Sequence, residues 1–196
     1  MQILVATNNK HKLNEYRFLF KNTKIEVLSL KDLDIKNDVI ENGKTYIENA
    51  ILKAQGIASL TNLIVLADDS GLEISALKKF PGLLSSRFAA QFNKQEDANF
   101  ELLKKLKGKR NRRAKFKISI AIANLEKDII TFNDFAKGEI CYEERGGDGF
   151  GYDPIFFHRP YQKTFAELTL KEKSTLSHRG KAIKQFIAFL ERKKII

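Results

Sequence analysis

The sequence contains a single cysteine, Cys141, among its 196 residues. One thiol cannot form a disulfide within the chain, and such low cysteine usage fits a reducing cytoplasm. The sequence also lacks any stretch approaching the roughly 18 consecutive apolar residues of a membrane span. Its first apolar run, Ile3–Ala6, has only the length of a strand, and no basic segment precedes it. We therefore expect a soluble, cytoplasmic protein that contacts no membrane.

Internal repeats and low-complexity linkers are absent as well. A chain of this length with 43% hydrophobic residues can bury one sizeable core, as one domain or as two lobes that share a sheet. Helix and strand patterns alternate along the sequence, which favours the α/β class. We predict a single domain over residues 1–196.

Acidic residues are fewer than basic ones, 24 against 35, so the formal net charge is +11. Such a surface attracts polyanions, including nucleotides and nucleic acids. Nine of the fourteen residues in Lys104–Lys117 are Lys or Arg. We interpret this basic run as a solvated connection between a helix and a strand. A nucleic-acid contact is the alternative, although no pattern of stacking aromatics accompanies the run.

A polar turn follows the first predicted strand, Gln2–Ala6, and precedes a helical pattern of apolar residues. A strand, a turn and a helix in this order present backbone N–H groups at a helix N-terminus, where phosphate binds readily. The glycines and the Gly-Lys-Ser/Thr end of a Walker loop are missing. Spacing alone therefore leaves an ordinary βα turn open. The candidate phosphate-binding residues are Thr7, Asn8, Asn9, Lys10, His11 and Lys12.

Two adjacent carboxylates, Asp68 and Asp69, end the apolar run Leu63–Ala67. They repel each other unless a cation or a proton intervenes, and hard oxygen ligands of this kind suit Mg²⁺. Successive strand residues face opposite sides, so both carboxylates converge only if the chain bends at Gly71. A surface turn is the alternative interpretation.

The segment Gly146–Pro154 holds four of the eleven glycines within six residues. Glycines allow positive φ and close approach of a ligand, and the apolar run that follows predicts a buried strand that anchors the loop. The pattern indicates a binding loop. A tight turn between strands, with Phe150 and Tyr152 in the core, fits it equally well.

Three further segments carry structural expectations. We predict a helix over Asn93–Leu106, with Phe100, Leu103 and Leu106 on one side, and two separate strands over Ile129–Phe135 and Gly138–Glu143.

Taken in order, these motifs resemble the inosine triphosphate pyrophosphatase family, also called XTP/dITP diphosphatases. The resemblance covers essentially the whole chain, and six motifs in the same order make it specific. Two departures, Asn8 and Ser86, stand where glycine and alanine are usual. The motifs are Thr7 with Asn9 and Lys12; Glu41–Gly43, Thr45–Ala50 and Lys53; Ala67–Leu72; Pro81-Gly82 with Ser85 and Arg87; Gly149–Pro154; and Lys173-Ser174 with Ser177–Arg179.

The resemblance implies an elongated mixed sheet with flanking helices and two lobes around a central nucleotide cleft, paired as a homodimer. It implies Mg²⁺-dependent hydrolysis of nonstandard purine nucleoside triphosphates (ITP, dITP and XTP) to the monophosphate and pyrophosphate. Such an activity clears the nucleotide pool of deaminated bases.

The resemblance also implies roles for individual residues. Asp69 would accept the proton of the attacking water and, with Glu41 and Asp68, hold Mg²⁺. The turn from Thr7 to Lys12, with Lys53, Ser70 and Lys173, would contact the phosphates. The remaining residues would bind the base. Phe150 would stack on it, with Gly151 and Tyr152 beside the ring, and its polar edge would contact Asp153, His178 and Arg179.

Two other functions remain open at this point. One is a pyrophosphatase for modified pyrimidine triphosphates, as in the structurally similar septum-formation-inhibitor proteins. The Ser-His-Arg and Phe-Gly-Tyr-Asp elements argue against it, because they belong to the purine family. The other is nucleic-acid binding through Lys104–Lys117, which steep salt dependence without nucleotide turnover would indicate.

Overall fold

The computed structural model describes residues 1–36 and 39–196. Seven strands form one sheet in the order β2-β1-β3-β4-β5-β6-β7, with parallel and antiparallel pairs, so the predicted mixed α/β sheet with flanking helices is confirmed. Within the described residues no helix is both long and apolar enough to cross a membrane. The strands are β1 Gln2–Val5, β2 Glu26–Ser29, β3 Ile64–Ile74, β4 Arg113–Ala123, β5 Ile130–Ile140, β6 Phe156–His158 and β7 Lys163–Thr164. The helices are α1 Lys10–Phe20, α2 Tyr46–Ala58, α3 Ser85–Ala89, α4 Gln95–Lys105, α5 Leu170–Leu176 and α6 His178–Arg192.

The chain forms two compact units, and β3, β4 and β5 contribute residues to both. The first unit contains Met1–Asp69, Ile118–Asp134 and Arg179–Ile196. The second contains Ser70–Lys117 and Phe135–His178.

In the first unit, β1 lies between β2 and β3 and is parallel to both. Alternate side chains of these strands face opposite sides of the sheet. Ile3, Val5 and Leu66 pack with α1 and α6, whereas Leu4 and Val65 pack with α2. Helix α1, which follows β1, and helix α2, which precedes β3, pack on opposite faces of the sheet. The carboxyl end of β1 therefore lies at a topological switch point beside the middle of β3, a position where α/β proteins bind ligands.

Strand β3 runs without interruption through Asp68, Asp69 and Gly71. The bend at Gly71 that convergence of the two carboxylates would require is therefore absent. Asp68 continues the face of Leu66 toward α1 and α6, while Asp69 continues the face of Ala67 toward α2. The two carboxylates do not converge, because the regular alternation of a continuous strand separates them.

The second unit corrects two predictions. Leu103 and Leu106 pack on the core as predicted, whereas Phe100 is 67% exposed and was assigned to the wrong side. Ala98, Asn99 and Leu102 complete the buried face of α4. Strand β5 is continuous where we predicted two strands, because Ala136 packs into the core of this unit and keeps the strand in register.

The basic run joins α4 to β4, and Arg112, at 8% exposure, is the buried one among its basic residues. Its Nε donates to the carbonyl of Ile140 at 2.9 Å and its Nη1 to that of Leu106 at 3.2 Å, and Nη2 also bonds the carbonyl of Cys141. Arg112 therefore joins the end of α4 to the end of β5. Its guanidinium, bonded to three backbone carbonyls, supports the fold.

We expect replacement of Lys109, Arg110 and Arg113 by Gln to leave kcat and the melting temperature nearly unchanged, since all three side chains are exposed. Arg112→Gln alone should cost about 2 kcal/mol or more of stability, because hydrogen bonds to charged donors contribute about 1.5–3 kcal/mol each. Urea unfolding and steady-state kinetics of the parent, the triple variant and the single variant measure both effects. A large loss of kcat in the triple variant would show that the exposed run takes part in the reaction.

Candidate functional site

The turn after β1 is held by its own side chains. Oδ1 of Asn9 accepts from the N–H groups of His11 at 2.9 Å and Lys12 at 3.2 Å, so Asn9 caps α1. Oγ1 of Thr7 accepts from the N–H of Asn9 at 3.2 Å. Two of the first-turn donors that we assigned to phosphate are thus bonded to Asn9, while the side chains of Asn8, Lys10 and His11 are exposed.

Asp68 is the centre of a buried ionic network. Its Oδ2 lies 2.9 Å from Nζ of Lys12 and 3.2 Å from Nη2 of Arg179, and Nη1 of Arg179 bonds Glu15. Burial alone would raise the pKa of the Asp68 carboxyl, but the charges of Lys12 and Arg179 outweigh it and hold that pKa well below its usual range.

This network changes two of the predicted roles. The Asp68 carboxylate already has two cations, so we no longer assign it to a metal. Arg179 is only 2% exposed, and its guanidinium is paired with the carboxylates of Glu15 and Asp68. We therefore no longer assign its side chain to the edge of the base. Sequence reasoning missed Glu15; the available signal was its position three residues after Lys12, on the same helical face.

Asp69 faces a different set of groups, on α2. Its Oδ2 accepts from Nδ2 of Asn49 at 2.9 Å, and Oδ1 of Asn49 accepts from the N–H of Gly43 at 2.8 Å. Burial raises the pKa of Asp69, Asn49 and Lys53 oppose the shift, and the Glu41 carboxylate adds to it. Asn49 entered the sequence analysis only as part of a motif; the structure shows that it orients Asp69.

Glu41 and Lys53 complete this cluster. Nζ of Lys53 lies 3.2 Å from Oε1 of Glu41, and the Lys53 side chain is almost fully buried. A buried carboxylate with a raised pKa beside a second carboxylate is an environment that a divalent cation would stabilise. The described residues contain no cluster of three or more potential metal ligands. Mg²⁺ nevertheless fits Glu41 and Asp69, because it typically takes one or two carboxylates and completes its shell with water and phosphate oxygens.

In the second unit the glycine loop needs its glycines for steric reasons. Gly149 has a φ of +80°, and a Cβ there would lie 2.5 Å from Oδ2 of Asp153. At Gly146, with a φ of +86°, a Cβ would meet the backbone of Ala166 at 2.4 Å. Side chains at either position would force the loop away from its supports.

Asp153, only 3% exposed, organises the residues around Phe150. Its Oδ2 accepts from the N–H of Phe150 at 2.8 Å and from Nζ of Lys173 at 2.6 Å. The same Nζ lies 4.8 Å from the centre of the Phe150 ring. Lys173, which we predicted at the phosphates, therefore belongs structurally with Phe150.

Two other predicted residues of this unit are buried. The hydroxyl of Tyr152 donates to the carbonyl of Ser85 at 2.7 Å, so its side chain supports the fold and we no longer assign it to the substrate. His178 stacks on Phe116, with ring centres 4.9 Å apart and 14° between the planes. Ser70 is half-buried in β3, and Gly151 adopts a φ of +63° directly after Phe150.

These features define an α/β protein with a carboxylate and lysine site at the switch point of its parallel strands. Residues 3–189 match the Ham1 family, and the chain belongs to that family.

Several relatives resemble the chain over nearly its full length. A protein of Desulforamulus reducens named dITP/XTP pyrophosphatase is 42% identical over 194 residues, which cover 98% of this chain and 96% of the relative. A Staphylococcus aureus protein of the same name is 41% identical and covers 98% of both chains. The solved structure of the Staphylococcus aureus Ham1 protein superimposes with a TM-score of 0.86 at 38% identity, covering 98% of this chain and all of the other. A Coxiella burnetii HAM1 protein gives a TM-score of 0.86 at 37% identity, covering 98% and 99%.

Proposed function

We propose that this protein hydrolyses nonstandard purine nucleoside triphosphates, namely ITP, dITP and XTP, to the nucleoside monophosphate and pyrophosphate. The observation that carries the proposal is the buried Asp69 carboxylate, oriented by Asn49 with Lys53 and Glu41 beside it. Its family and the names of its relatives give the substrate class.

Asp69 is the proton acceptor in this proposal. Hydrolysis at the α-phosphorus needs a water aligned opposite the leaving pyrophosphate and a base that takes its proton. Asn49 fixes one oxygen of Asp69, and burial raises the pKa of the carboxyl, which makes it a stronger base than an exposed aspartate. Glu41 and Asp69 would hold Mg²⁺, which supplies neutralisation of the triphosphate charge.

In this proposal Lys12 and Lys53 contact the phosphates. Lys53 is paired with Glu41 and Lys12 with Asp68, so each ammonium is held in place before substrate arrives. Burial lowers the pKa of Lys12, and the Asp68 carboxylate opposes that shift. We propose that these two lysines, with the Thr7–Lys12 turn and the hydroxyl of Ser70, contact the triphosphate.

In this proposal the purine stacks on Phe150. Asp153 accepts from the backbone N–H of Phe150, and the Lys173 ammonium lies 4.8 Å from the centre of the Phe150 ring. Stacking on an aromatic ring recognises any base. Asp153, Lys173 and His178 are nearly as buried as Arg179, so their side chains support the fold around Phe150 and are not assigned to the polar edge of the base. Hypoxanthine and xanthine differ from adenine at C6, where they present an acceptor oxygen and adenine presents an amino donor.

We propose further that the protein acts as a homodimer in the cytoplasm, as the family resemblance implies. Sedimentation equilibrium of the full chain measures the assembly state, and a monomer at micromolar concentration would contradict the dimer.

The function is tested by measuring pyrophosphate and orthophosphate release from dITP, XTP, dATP, dGTP and a modified pyrimidine triphosphate, with and without Mg²⁺. We expect pyrophosphate as the product, dITP and XTP as the preferred substrates, and no turnover after chelation. Orthophosphate release would indicate cleavage at the γ-phosphorus and overturn the proposal. A preference for the pyrimidine would favour the alternative enzyme class.

A further inference from the structure

Asn99 on α4 lies at the glycine loop, although no motif marks it. Its side chain is only 1% exposed, and its Nδ2 donates to Oε1 of Glu144 at 2.5 Å and to the carbonyl oxygen of Gly151 at 3.2 Å. Nε2 of Gln95 donates to its Oδ1 at 3.1 Å. Glu144 and Gly151 lie on either side of the loop segment 145–150, so one amide fastens both ends of that segment to the helix.

The chemistry of this contact requires an amide. Both groups facing Nδ2 are acceptors only, a carboxylate and a backbone carbonyl, and the primary amide has two N–H donors to match them. The donor from Gln95 fixes the orientation of the amide, because it must face the oxygen. An aspartate has nearly the same shape, but its carboxylate would face two other acceptors, the Glu144 carboxylate and the Gly151 carbonyl, with no donor between them.

The position of Gly151 makes the contact relevant to the base site. Gly151 follows Phe150 directly and has a φ of +63°, a conformation that a non-glycine residue adopts only with strain. Phe150 is bonded on its N-terminal side to Asp153 through its own N–H. The Asn99 contact restrains the chain on the other side, so the ring of Phe150 is held between two hydrogen bonds.

We propose that Asn99 is a positioning residue, which sets the place of the Phe150 ring against the purine. The inference rests on the proposed function, in which Phe150 stacks on the base. Asn99 itself touches no substrate and acts through the loop. Loss of the contact therefore weakens ground-state binding of the base while the reacting groups around Asp69 remain intact.

The test compares Asn99→Asp with the parent, using dITP as substrate. We expect KM to rise about tenfold or more with kcat changed less than about threefold. Asn99→Asp leaves the Gly151 carbonyl without its donor, and an unsatisfied buried acceptor costs roughly one to two factors of ten. Asp97→Asn, an exposed change on the same helix, is the matched control and should behave as the parent. A parental KM in a folded Asn99→Asp would overturn the inference.

A double variant separates positioning from folding. When Asn99→Asp is combined with Glu144→Gln, the new amide at position 144 can donate to the new carboxylate at position 99. This bond relieves the repulsion and supports folding, but the bond to Gly151 stays broken. We expect KM to stay high in this protein. Recovery of the parental KM would show that Asn99 only stabilises the fold and would overturn the inference.

A double-mutant cycle with Phe150 tests whether Asn99 affects KM through the Phe150 ring. In a Phe150→Ala background, Asn99→Asp should raise KM no further, since its action passes through the missing ring. Additive effects would overturn the inference. Because the sequence contains no tryptophan, Phe150→Trp also gives a single fluorescent reporter. Its emission without substrate should change when Asn99→Asp is added to the reporter protein, and an unchanged emission would contradict the inference as well.

Failure of the inference and failure of the proposed function remain distinguishable. If the parent releases no pyrophosphate from dITP, the function itself is overturned, together with the inference that rests on it. If the parent is active and the Asn99 variants keep its KM, only the role of Asn99 is wrong.

Discussion

Asp69→Asn should lower kcat for dITP by about 10²–10⁴-fold, the usual contribution of a general base. The substitution keeps the shape of the side chain and its bond from Asn49, because the amide oxygen can still accept. What it removes is the negative charge and the proton acceptor. Steady-state pyrophosphate release at saturating Mg²⁺ measures the loss, and Asp128→Asn, an exposed substitution of the same type, serves as the control. Near-normal turnover would remove Asp69 from the reaction.

The same variant should be more stable than the parent in chelator at pH 7. Burial raises the folded-state pKa of Asp69 above its unfolded value, so its ionised form costs folding free energy once the pH exceeds that raised pKa. An uncharged Asn carries no such cost, and melting temperatures of the two metal-free proteins compare them. A lower melting temperature in Asp69→Asn would show that the charge is satisfied without a cation.

Asp68→Asn should change the folding stability in the opposite direction from Asp69→Asn. The folded-state pKa of Asp68 is depressed, so its charge contributes stability above the unfolded pKa of about 3.9 and loses that contribution as the pH falls through the folded value. Asp68→Asn should therefore destabilise at pH 7, and its deficit against the parent should shrink in acid. Equal changes of stability in Asp68→Asn and Asp69→Asn would contradict the different environments of the two carboxylates.

Arg179→Ala should cost about 3–5 kcal/mol of stability, the usual result of removing one partner from a buried ion network. The variant would leave Glu15 buried without its arginine and Asp68 with Lys12 alone. Urea unfolding measures the loss. Arg192→Ala, at an exposed position of the same helix, is the matched control and should change stability little.

Substrate selectivity separates this role from the one that the sequence suggested. If Arg179 positions Asp68 and Lys12, kcat/KM for dITP and dATP should fall by similar factors in Arg179→Ala. A collapse of the dITP value toward the dATP value, with stability unchanged, would restore Arg179 to the edge of the base.

The sequence predicted the fold class and the family because their signals are local. Apolar runs, turn residues and motif order lie within segments of about ten residues, and each segment folds with its own periodicity. The candidate site residues were also proposed from local patterns, namely paired carboxylates, lysines after a βα turn and a glycine loop beside an aromatic residue.

Only the tertiary structure decided which of these groups act together. The bond between Arg179 and Glu15 joins residues 164 positions apart, and that between Arg179 and Asp68 joins residues 111 apart. No local pattern reveals that these partners meet. In the same way, Asn99 looked like an ordinary helix residue until the packing of α4 placed its amide against Gly151.

The separation of Asp68 from Asp69 shows most clearly what the sequence determined and what the tertiary structure decided. Their adjacency was in the sequence, but whether they converge depended on a bend, and the pairing of β3 within the sheet prevents it. A regular strand sends neighbouring side chains to opposite faces, toward different helices. The sequence by itself determined that two carboxylates stand at this strand, whereas the sheet decided that one is neutralised by two cations and the other faces Asn49 on α2.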